Sequence, residues 1–199
     1  MSENKPALDL TAQAEELKTV LRGIGDDQLT RPTPCEDYVV GDLLEHVMGL
    51  TVAFRMAAEK SYGESPAGPP PPGSADRLDP EWRRLLPERL DALAEAWKEP
   101  AAWTGEAQAG GVTMPAEVCA LVAADELLIH GWDLARATGQ PYAGDPALTG
   151  AVFEFLRQSA EESGEGEGLF GPPVPVPSDA PLLDRAVGLS GRDPGWSAR

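Results

Sequence analysis

The chain has 199 residues, 42% of them hydrophobic and 25% charged, which is typical of one globular domain with a substantial core. Asp and Glu number 33 against 16 for Lys and Arg, and the net charge of −17 argues against nucleic acid and anionic membranes as partners. No stretch approaches the roughly 20 apolar residues of a membrane span, and none resembles a signal peptide.

Two amphipathic helices are predicted in the N-terminal part of the chain, at about 9–23 and 40–60. Between them, residues 31–38 include two prolines and are expected to be extended, because proline disfavours a helix in the residue before it. The second helix directs an apolar face at the core, formed by Leu43, Val47, Leu50 and Phe54. His46 belongs to the same face by its three- and four-residue spacing from these side chains.

A proline-rich surface loop is predicted at 66–73, a stretch that cannot be helical. A connection of this length allows a crossover between parallel helices of a bundle. Further helices are predicted at about 80–98, 114–138, from 145 onward and at 181–189, and a loop is expected at 104–113.

Residues 163–199 are predicted to be a C-terminal extension of the same domain. They begin with an acidic, glycine-rich stretch and continue as an extended proline-rich segment at 170–177. The sequence shows no convincing strand pair and no internal repeat. The prediction is therefore a single all-α domain over 1–199.

The fourth predicted helix carries a carboxylate and an imidazole in a stripe of otherwise apolar residues. Glu126 and His130 are four residues apart, which places them one turn apart on the same helix face. His46 is the only other histidine of the chain, and it also points inward. Burying such groups without partners is costly, and one metal ion would satisfy all three. The pattern predicts a metal site with coordination positions left open, as in catalytic sites.

A purely structural role for these residues stays open on the pattern alone. A Glu-x-x-x-His spacing arises by chance in many helices, and a single inward histidine is more often a satisfied core residue. Asp133 could orient His130, pair with Arg136 or face solvent. Asp42 stands one turn before His46 and leaves the same alternatives open.

Other chemistries have weaker support. No glycine-rich phosphate loop follows a strand, and there is no nucleophile elbow. Cys35 and Cys119 do not make a disulfide framework, which predicts a reduced, cytoplasmic protein, and each is more often a core filler than a nucleophile. Cys119 lies seven residues before Glu126, roughly 10 Å along a helix axis, which is far for direct contact. Tyr38 and Trp132 could line a pocket or belong to the core.

Two stretches of the sequence are distinctive. The first is Pro-Thr-Pro-Cys at 32–35, followed by Tyr38 and by Gly-Asp-Leu-Leu-Glu-His-Val at 41–47. The second is Asp-Glu-Leu-Leu-Ile-His-Gly-Trp-Asp-Leu-Ala-Arg-Ala-Thr-Gly at 125–139. Together they resemble the actinobacterial branch of the DinB-like superfamily, which includes the metal-binding domain of mycothiol-dependent maleylpyruvate isomerase. The resemblance covers most of the chain, from the first helix to 171–173.

The resemblance implies a DinB-like four-helix bundle with a long crossover and one divalent metal ion held by His46, Glu126 and His130. Zinc is the first expectation for the ion, with nickel and iron as alternatives. In the isomerase the metal is thought to activate the thiol mycothiol, which then attacks the substrate. That enzyme has a further C-terminal domain, for which residues 163–199 are too few, so a different thiol-dependent transfer or isomerisation is expected here.

Two functions from different classes follow. The first is a metalloenzyme, an S-transferase or isomerase, that uses a small-molecule thiol such as mycothiol on an unidentified electrophilic substrate. The second is a metal-containing helical bundle that binds a ligand or partner without turnover. An open coordination position favours the first, and a fourth protein ligand favours the second. A monomer and a homodimer are both compatible with the sequence.

Overall fold

The computed structural model describes residues 8–62, 71–163 and 171–198, and these residues are mostly helical, as the sequence predicts. The helices in this part of the chain are α1 Thr11–Arg22, α2 Val40–Glu59, α3 Trp82–Ala96, α4 Ala116–Thr138, α5 Pro146–Ser163 and α6 Leu182–Leu189. Each of them coincides within a few residues with a predicted helix, so the apolar periodicity is sufficient to locate them. Over the same residues, no helix is long and apolar enough to cross a membrane.

The first four helices form the bundle, in which α1 and α2 each pack against both α3 and α4. The most enclosed of them is α4, since 17 of its 23 residues are buried. Many of these residues are alanines, whose small side chains let neighbouring helices approach closely. On the outside, α5 packs against α4, and α6 packs against α5. The polar side chains of Asp125, His130 and Asp133 on α4 are therefore buried in the interior of the fold.

Residues 104–113 contradict the predicted loop, because most of them form a β-hairpin. Strand β1, Glu106–Ala109, pairs antiparallel with strand β2, Val112–Pro115. Gly110 and Gly111 connect the strands and have φ values of 58° and 80°, as a two-residue hairpin turn requires. The predicted absence of strands is therefore wrong at this point, and α4 begins at Ala116 instead of at residue 114.

The predicted proline-rich loop at 66–73 lies partly outside the described residues. Its last three residues, 71–73, have no regular secondary structure, and they lead into a short 3-10 turn at Ala75–Arg77. Gly73 packs closely on α2, because a Cβ atom built there would lie 2.4 Å from the carbonyl oxygen of Asp42. This end of the connection is thus fixed to the bundle.

The C-terminal extension packs against the bundle where it is described. Residues 171–177, in the segment predicted to be extended, form neither helix nor strand, and 164–170 lie outside the described residues. The Val174 amide donates a hydrogen bond of 2.8 Å to the carbonyl oxygen of Gly188 at the end of α6. The hydrophobic core includes residues from Leu10 in the N-terminal region to Val187 in α6, so one core connects the described parts.

Tyr142 approaches α4 so closely that only glycine fits beneath its hydroxyl group. The hydroxyl donates a hydrogen bond of 2.8 Å to the Leu128 carbonyl and accepts one from the side chain of Gln13. A Cβ atom on Gly131 would lie 2.3 Å from the Tyr142 hydroxyl oxygen. The position of α4 relative to the loop after it therefore depends on Gly131.

We expect Gly131→Ala to lower the free energy of unfolding by about 1–3 kcal/mol, because the added methyl group must displace a hydrogen-bonded, packed tyrosine. The matched control is Gly49→Ala on an exposed position of α2, where a Cβ atom meets nothing within 4 Å. There the better helix propensity of alanine should raise the stability by up to about 1 kcal/mol. Urea unfolding monitored by circular dichroism measures both. Equal stability of the two variants would contradict this packing.

Candidate metal centre

Packing of α2 against α4 brings three side chains with metal-ligating atoms together. One ligand atom of each of His46, Glu126 and His130 lies within 4.8 Å of the others, and the described part of the chain holds no other such group of three His, Cys, Asp or Glu residues. The His130 Nε2 atom is 2.9 Å from Glu126 Oε2, and His46 Nε2 is 4.0 Å from the same oxygen. The two imidazole rings meet edge to face at 5.1 Å.

The centre is buried on one side and accessible on the other. The His130 side chain is only 8% exposed, whereas those of His46 and Glu126 are 23% and 24% exposed. The difference follows from position, because His130 lies deep on the most enclosed helix and His46 comes from its neighbour. A small molecule could therefore reach the centre from the His46 and Glu126 side.

Asp133 supports His130 from the side opposite to Glu126. Its Oδ2 atom lies 3.1 Å from His130 Nδ1 and 3.3 Å from Nη2 of Arg192, and its side chain is fully buried. This geometry decides among the alternatives left open by the sequence, since Asp133 pairs with His130 and Arg192. Arg136 donates instead to the carbonyl oxygens of Pro194 and Trp196.

The protonation of the three residues reflects this arrangement. Burial alone would lower the pKa of His130, but the hydrogen bonds to Asp133 and Glu126 outweigh burial and raise it to about 9. Burial and the neighbouring His130 charge lower the pKa of His46. Burial raises the pKa of Glu126, yet the contacts with His130 reverse this and leave it below its ordinary value. Without a metal, the two histidines thus differ in protonation at neutral pH.

The other polar residues suggested by the sequence have structural roles. Asp42 accepts hydrogen bonds from the amides of Val39 and Ala75, so it caps the start of α2 and does not orient His46. Tyr38 lies beside His46, with ring centroids 5.4 Å apart, and its hydroxyl oxygen accepts a hydrogen bond from the Gly73 amide.

Gly73 also covers His46, since a Cβ atom built there would lie 3.0 Å from the His46 Cβ. Tyr38 and Gly73 therefore form a wall of the centre next to His46. Trp132 is buried in the core, with the Arg136 guanidinium 5.7 Å from its ring, and belongs to the packing of α4.

Neither cysteine belongs to the cluster. Cys119 is fully buried in α4, and burial raises the pKa of its thiol to about 11. Cys35 is half-buried, and burial raises its pKa to about 11 as well, despite the positive charge of Arg192 nearby. Because the thiolate is the reactive form, neither side chain is a ready nucleophile at neutral pH in the metal-free chain.

The chemistry of the donor set and the local charge both suit a divalent cation. Two imidazoles and a carboxylate are ordinary ligands for zinc, and ligand atoms around a tetrahedral ion are about 3.4 Å apart for bonds of about 2.1 Å. The distances of 2.9 Å and 4.0 Å from Glu126 Oε2 bracket that value. Small side-chain adjustments would therefore bring the three ligand atoms to bonding distance.

Three carboxylates, those of Asp125, Glu126 and Asp133, lie near one guanidinium, that of Arg192. Burial and the Glu126 charge raise the pKa of Asp125 to about 8, and its Oδ1 atom is buried without a hydrogen-bond partner. In the metal-free chain, protons on Asp125 and His130 thus offset the two excess negative charges. A divalent cation would supply the same compensation.

The sequence patterns do not identify Arg192 or Gly73 as parts of this centre. Arg192 lies 59 residues after Asp133, and no spacing rule connects two residues so far apart in the chain. Gly73 resembles any glycine at the end of a proline-rich loop. Only the tertiary packing shows their positions.

Comparison with known proteins gives consistent matches. A family model described as the mycothiol maleylpyruvate isomerase N-terminal domain matches residues 10–135. The uncharacterized proteins MT0763 and Rv0738 of Mycobacterium tuberculosis are each 29% identical to the chain over 185 residues, or 87% of this chain and 90% of theirs.

Among solved structures, the mycothiol-dependent maleylpyruvate isomerase matches with a TM-score of 0.57 at 18% identity, and a histidine-to-alanine mutant of it with 0.55 at 17%. Each match covers 77% of this chain and 66% of the isomerase chain. At this identity the match shows a shared fold. The chain spans only about two thirds of the length of that enzyme.

The raised thiol pKa values predict slow reaction with a thiol reagent. With a pKa of about 11 in place of the ordinary 9, the fraction of each cysteine present as thiolate below pH 9 is about 100-fold lower than that of a free cysteine. We expect the Cys119→Ala variant, which isolates Cys35, to react correspondingly slowly with an aromatic disulfide reagent at pH 7.5. The same variant unfolded in urea is the control. Equal rates in the two states would show that Cys35 is not shielded as described.

Proposed function

Because the chain belongs to the family of the mycothiol maleylpyruvate isomerase N-terminal domain, we propose that it binds one divalent metal ion and uses mycothiol or a related low-molecular-weight thiol as cosubstrate. The observation that carries this proposal is the convergence of His46, Glu126 and His130 from two helices on one partly accessible point. Zinc is the first candidate for the ion, since two nitrogen donors and one oxygen donor are common in its catalytic sites.

The protein would contribute three ligands and leave at least one coordination position to an incoming molecule. His46 and Glu126 are each partly exposed, so an incoming molecule would approach from their side. A bound divalent ion supplies the positive charge that lets a thiol lose its proton at neutral pH. Tyr38 and Gly73 lie beside His46 on this side and would limit how the thiol enters.

In this proposal the thiol is external, because neither cysteine of the chain belongs to the ligand cluster. Both cysteine thiols have raised pKa values, and neither is part of the ligand cluster. The external sulfur would attack an electrophilic carbon of the second substrate, in a transfer or an isomerisation. Maleylpyruvate isomerisation is the activity of the longer structural relative, and the substrate proposed here is an electrophile of unspecified structure.

We propose that residues 1–199 form one domain, since a single core connects α1 to α6. The alternative function, a metal-containing bundle that binds a ligand without turnover, predicts a fourth protein ligand. The Cys35 and Cys119 thiols lie outside the cluster, which favours the enzymatic function.

Removal of a ligand tests the metal site. We expect His46→Ala and His130→Ala each to lose stoichiometric zinc, because two remaining donors bind the ion far more weakly. Glu45→Gln is the matched control, since Glu45 is a carboxylate on α2 next to His46 that pairs with Arg77 and the Ser74 amide. Elemental analysis after gel filtration gives the metal content. Wild-type zinc content in either alanine variant would show that the ligand set is wrong.

Cobalt substitution tests the thiol. In the Cys35→Ala/Cys119→Ala variant loaded with cobalt, we expect a sulfur-to-cobalt charge-transfer band only after mycothiol or a surrogate thiol is added. The band should need added thiol because the sulfur ligand comes from the external thiol and not from the chain. A band present in the cobalt-loaded wild type without added thiol, and absent from the double variant, would assign the sulfur to the chain itself. The proposed use of an external thiol would then be excluded.

A further inference from the structure

The C-terminal segment after α6 reaches back to the candidate metal centre. It lies beyond residues 10–135, which the family model matches. Its connection to the centre is Arg192, whose side chain is 16% exposed and donates to Asp133 Oδ2 over 3.3 Å. A second nitrogen of the guanidinium donates to the carbonyl oxygen of Ser190 over 2.8 Å. Arg192 is therefore held from both sides.

The backbone at the end of α6 fixes the direction of Arg192. Gly191 has a φ of 84°, a left-handed conformation that glycine adopts without strain. The Gly191 amide donates to Gly188 and the Arg192 amide to Val187, each over 3.1 Å. This is the hydrogen-bond pattern of a Schellman motif, which ends the helix and turns the chain in a defined direction. The local sequence thus positions Arg192 independently of Asp133.

One carboxylate oxygen serves both Arg192 and His130. Asp133 Oδ2 contacts His130 Nδ1 at 3.1 Å and Glu126 Oε2 contacts Nε2 at 2.9 Å, so each ring nitrogen faces a carboxylate, which can only accept hydrogen bonds. A cation that takes the place of the Nε2 proton would leave the remaining proton on Nδ1, where His130 donates it to Asp133. This is the tautomer that a metal ligand needs at Nε2.

The negative charge of Asp133 needs a partner, because its side chain is fully buried and its Oδ1 atom has no hydrogen-bond partner. Arg192 supplies the positive charge and a directional donor to Oδ2. Without Arg192, the buried carboxylate would lose one of its two described hydrogen-bond partners and would be held less firmly against the imidazole.

We propose that Arg192 is a positioning residue of the metal centre, which acts through Asp133 to fix His130 with Nε2 directed at the ion. The inference rests on the proposed function for the identity of the ion, but the Arg192–Asp133–His130 chain is a property of the protein itself. The C-terminal segment would then be part of the centre, although it supplies no ligand.

Zinc affinity measured by competition with a chelator tests the proposal. We expect Arg192→Met, which keeps the length of the side chain and removes its charge and donors, to weaken zinc binding about 10–100-fold. Arg192→Lys should recover part of the loss, since it restores the charge without the planar fork. The matched control is Arg136→Met, because Arg136 also ties the C-terminal segment to α4 but does not contact Asp133. Its zinc affinity should remain close to that of the wild type.

A double-mutant cycle tests whether Arg192 acts through Asp133. In the Asp133→Asn background, Arg192→Met should cost little additional affinity, because the neutral amide needs no guanidinium. An equal loss in both backgrounds would overturn the proposal. Unchanged zinc affinity in Arg192→Met would also overturn it. An equal loss of zinc affinity in Arg136→Met would overturn it as well, because it would show that zinc binding depends only on docking of the C-terminal segment.

Nitrogen-15 NMR gives a readout that a general structural role would not change. The chain has only two histidines, so their ring signals are readily assigned. In the zinc-loaded wild type and Arg136→Met, His130 should carry its proton on Nδ1, and Arg192→Met should lose this single tautomer. If the wild type takes up no divalent metal ion, the proposed function fails. The metal-free protein then tests the inference by itself: the His130 Nδ1 proton should exchange with water faster in folded Arg192→Met than in the wild type and in Arg136→Met. Equal exchange rates in all three proteins would overturn the inference.

Discussion

The structure is organised around negative charge buried in the middle of an apolar bundle. Helix α4 carries Asp125, Glu126 and Asp133 among alanine and leucine side chains, and such charges are stable in an interior only when they are compensated. Arg192 and protons on His130 and Asp125 supply the compensation in the metal-free chain. Replacing the two protons by a divalent cation would preserve the balance of charge. The charges around α4 are therefore compatible with a bound divalent cation.

This constraint explains why distant parts of the chain converge on α4. Helix α2 contributes His46, and the segment before α3 covers that histidine through Gly73. The end of α6 contributes Arg192, and Arg136 on α4 holds the residues that follow it. The loop after α4 contributes Tyr142, whose close contact requires Gly131 next to His130. The buried polar groups and the packing around them are thus parts of one arrangement.

The sequence predicts the helices well and the contacts between them only in part. Apolar periodicity places α2 at about 40–60, against Val40–Glu59 in the structure, because the pattern reflects burial directly. The same periodicity shows that His46, Glu126 and His130 each point inward. That they meet at one point depends on how α2 packs against α4, which periodicity does not specify. The resemblance to a known family supplied that information.

Two features escaped prediction for different physical reasons. The hairpin at Glu106–Pro115 consists of four-residue strands, too short for an alternating pattern to be recognised, and its clearest signal was the Gly110–Gly111 pair. The role of Arg192 depends on contact between residues 59 positions apart, which a single sequence does not encode in any regular spacing. A Gly-Arg pair after a short helix suggests a helix end, but it does not identify the carboxylate that the arginine reaches.

Anomalous X-ray diffraction from crystals of the zinc-loaded protein, recorded on both sides of the zinc absorption edge, would locate the ion and its ligands. We expect one anomalous peak about 2.0–2.2 Å from His46 Nε2, a Glu126 carboxylate oxygen and His130 Nε2, with a further coordination position free of protein atoms. A peak at another place, or a fourth ligand from the chain such as the Cys35 sulfur, would rule out this metal centre.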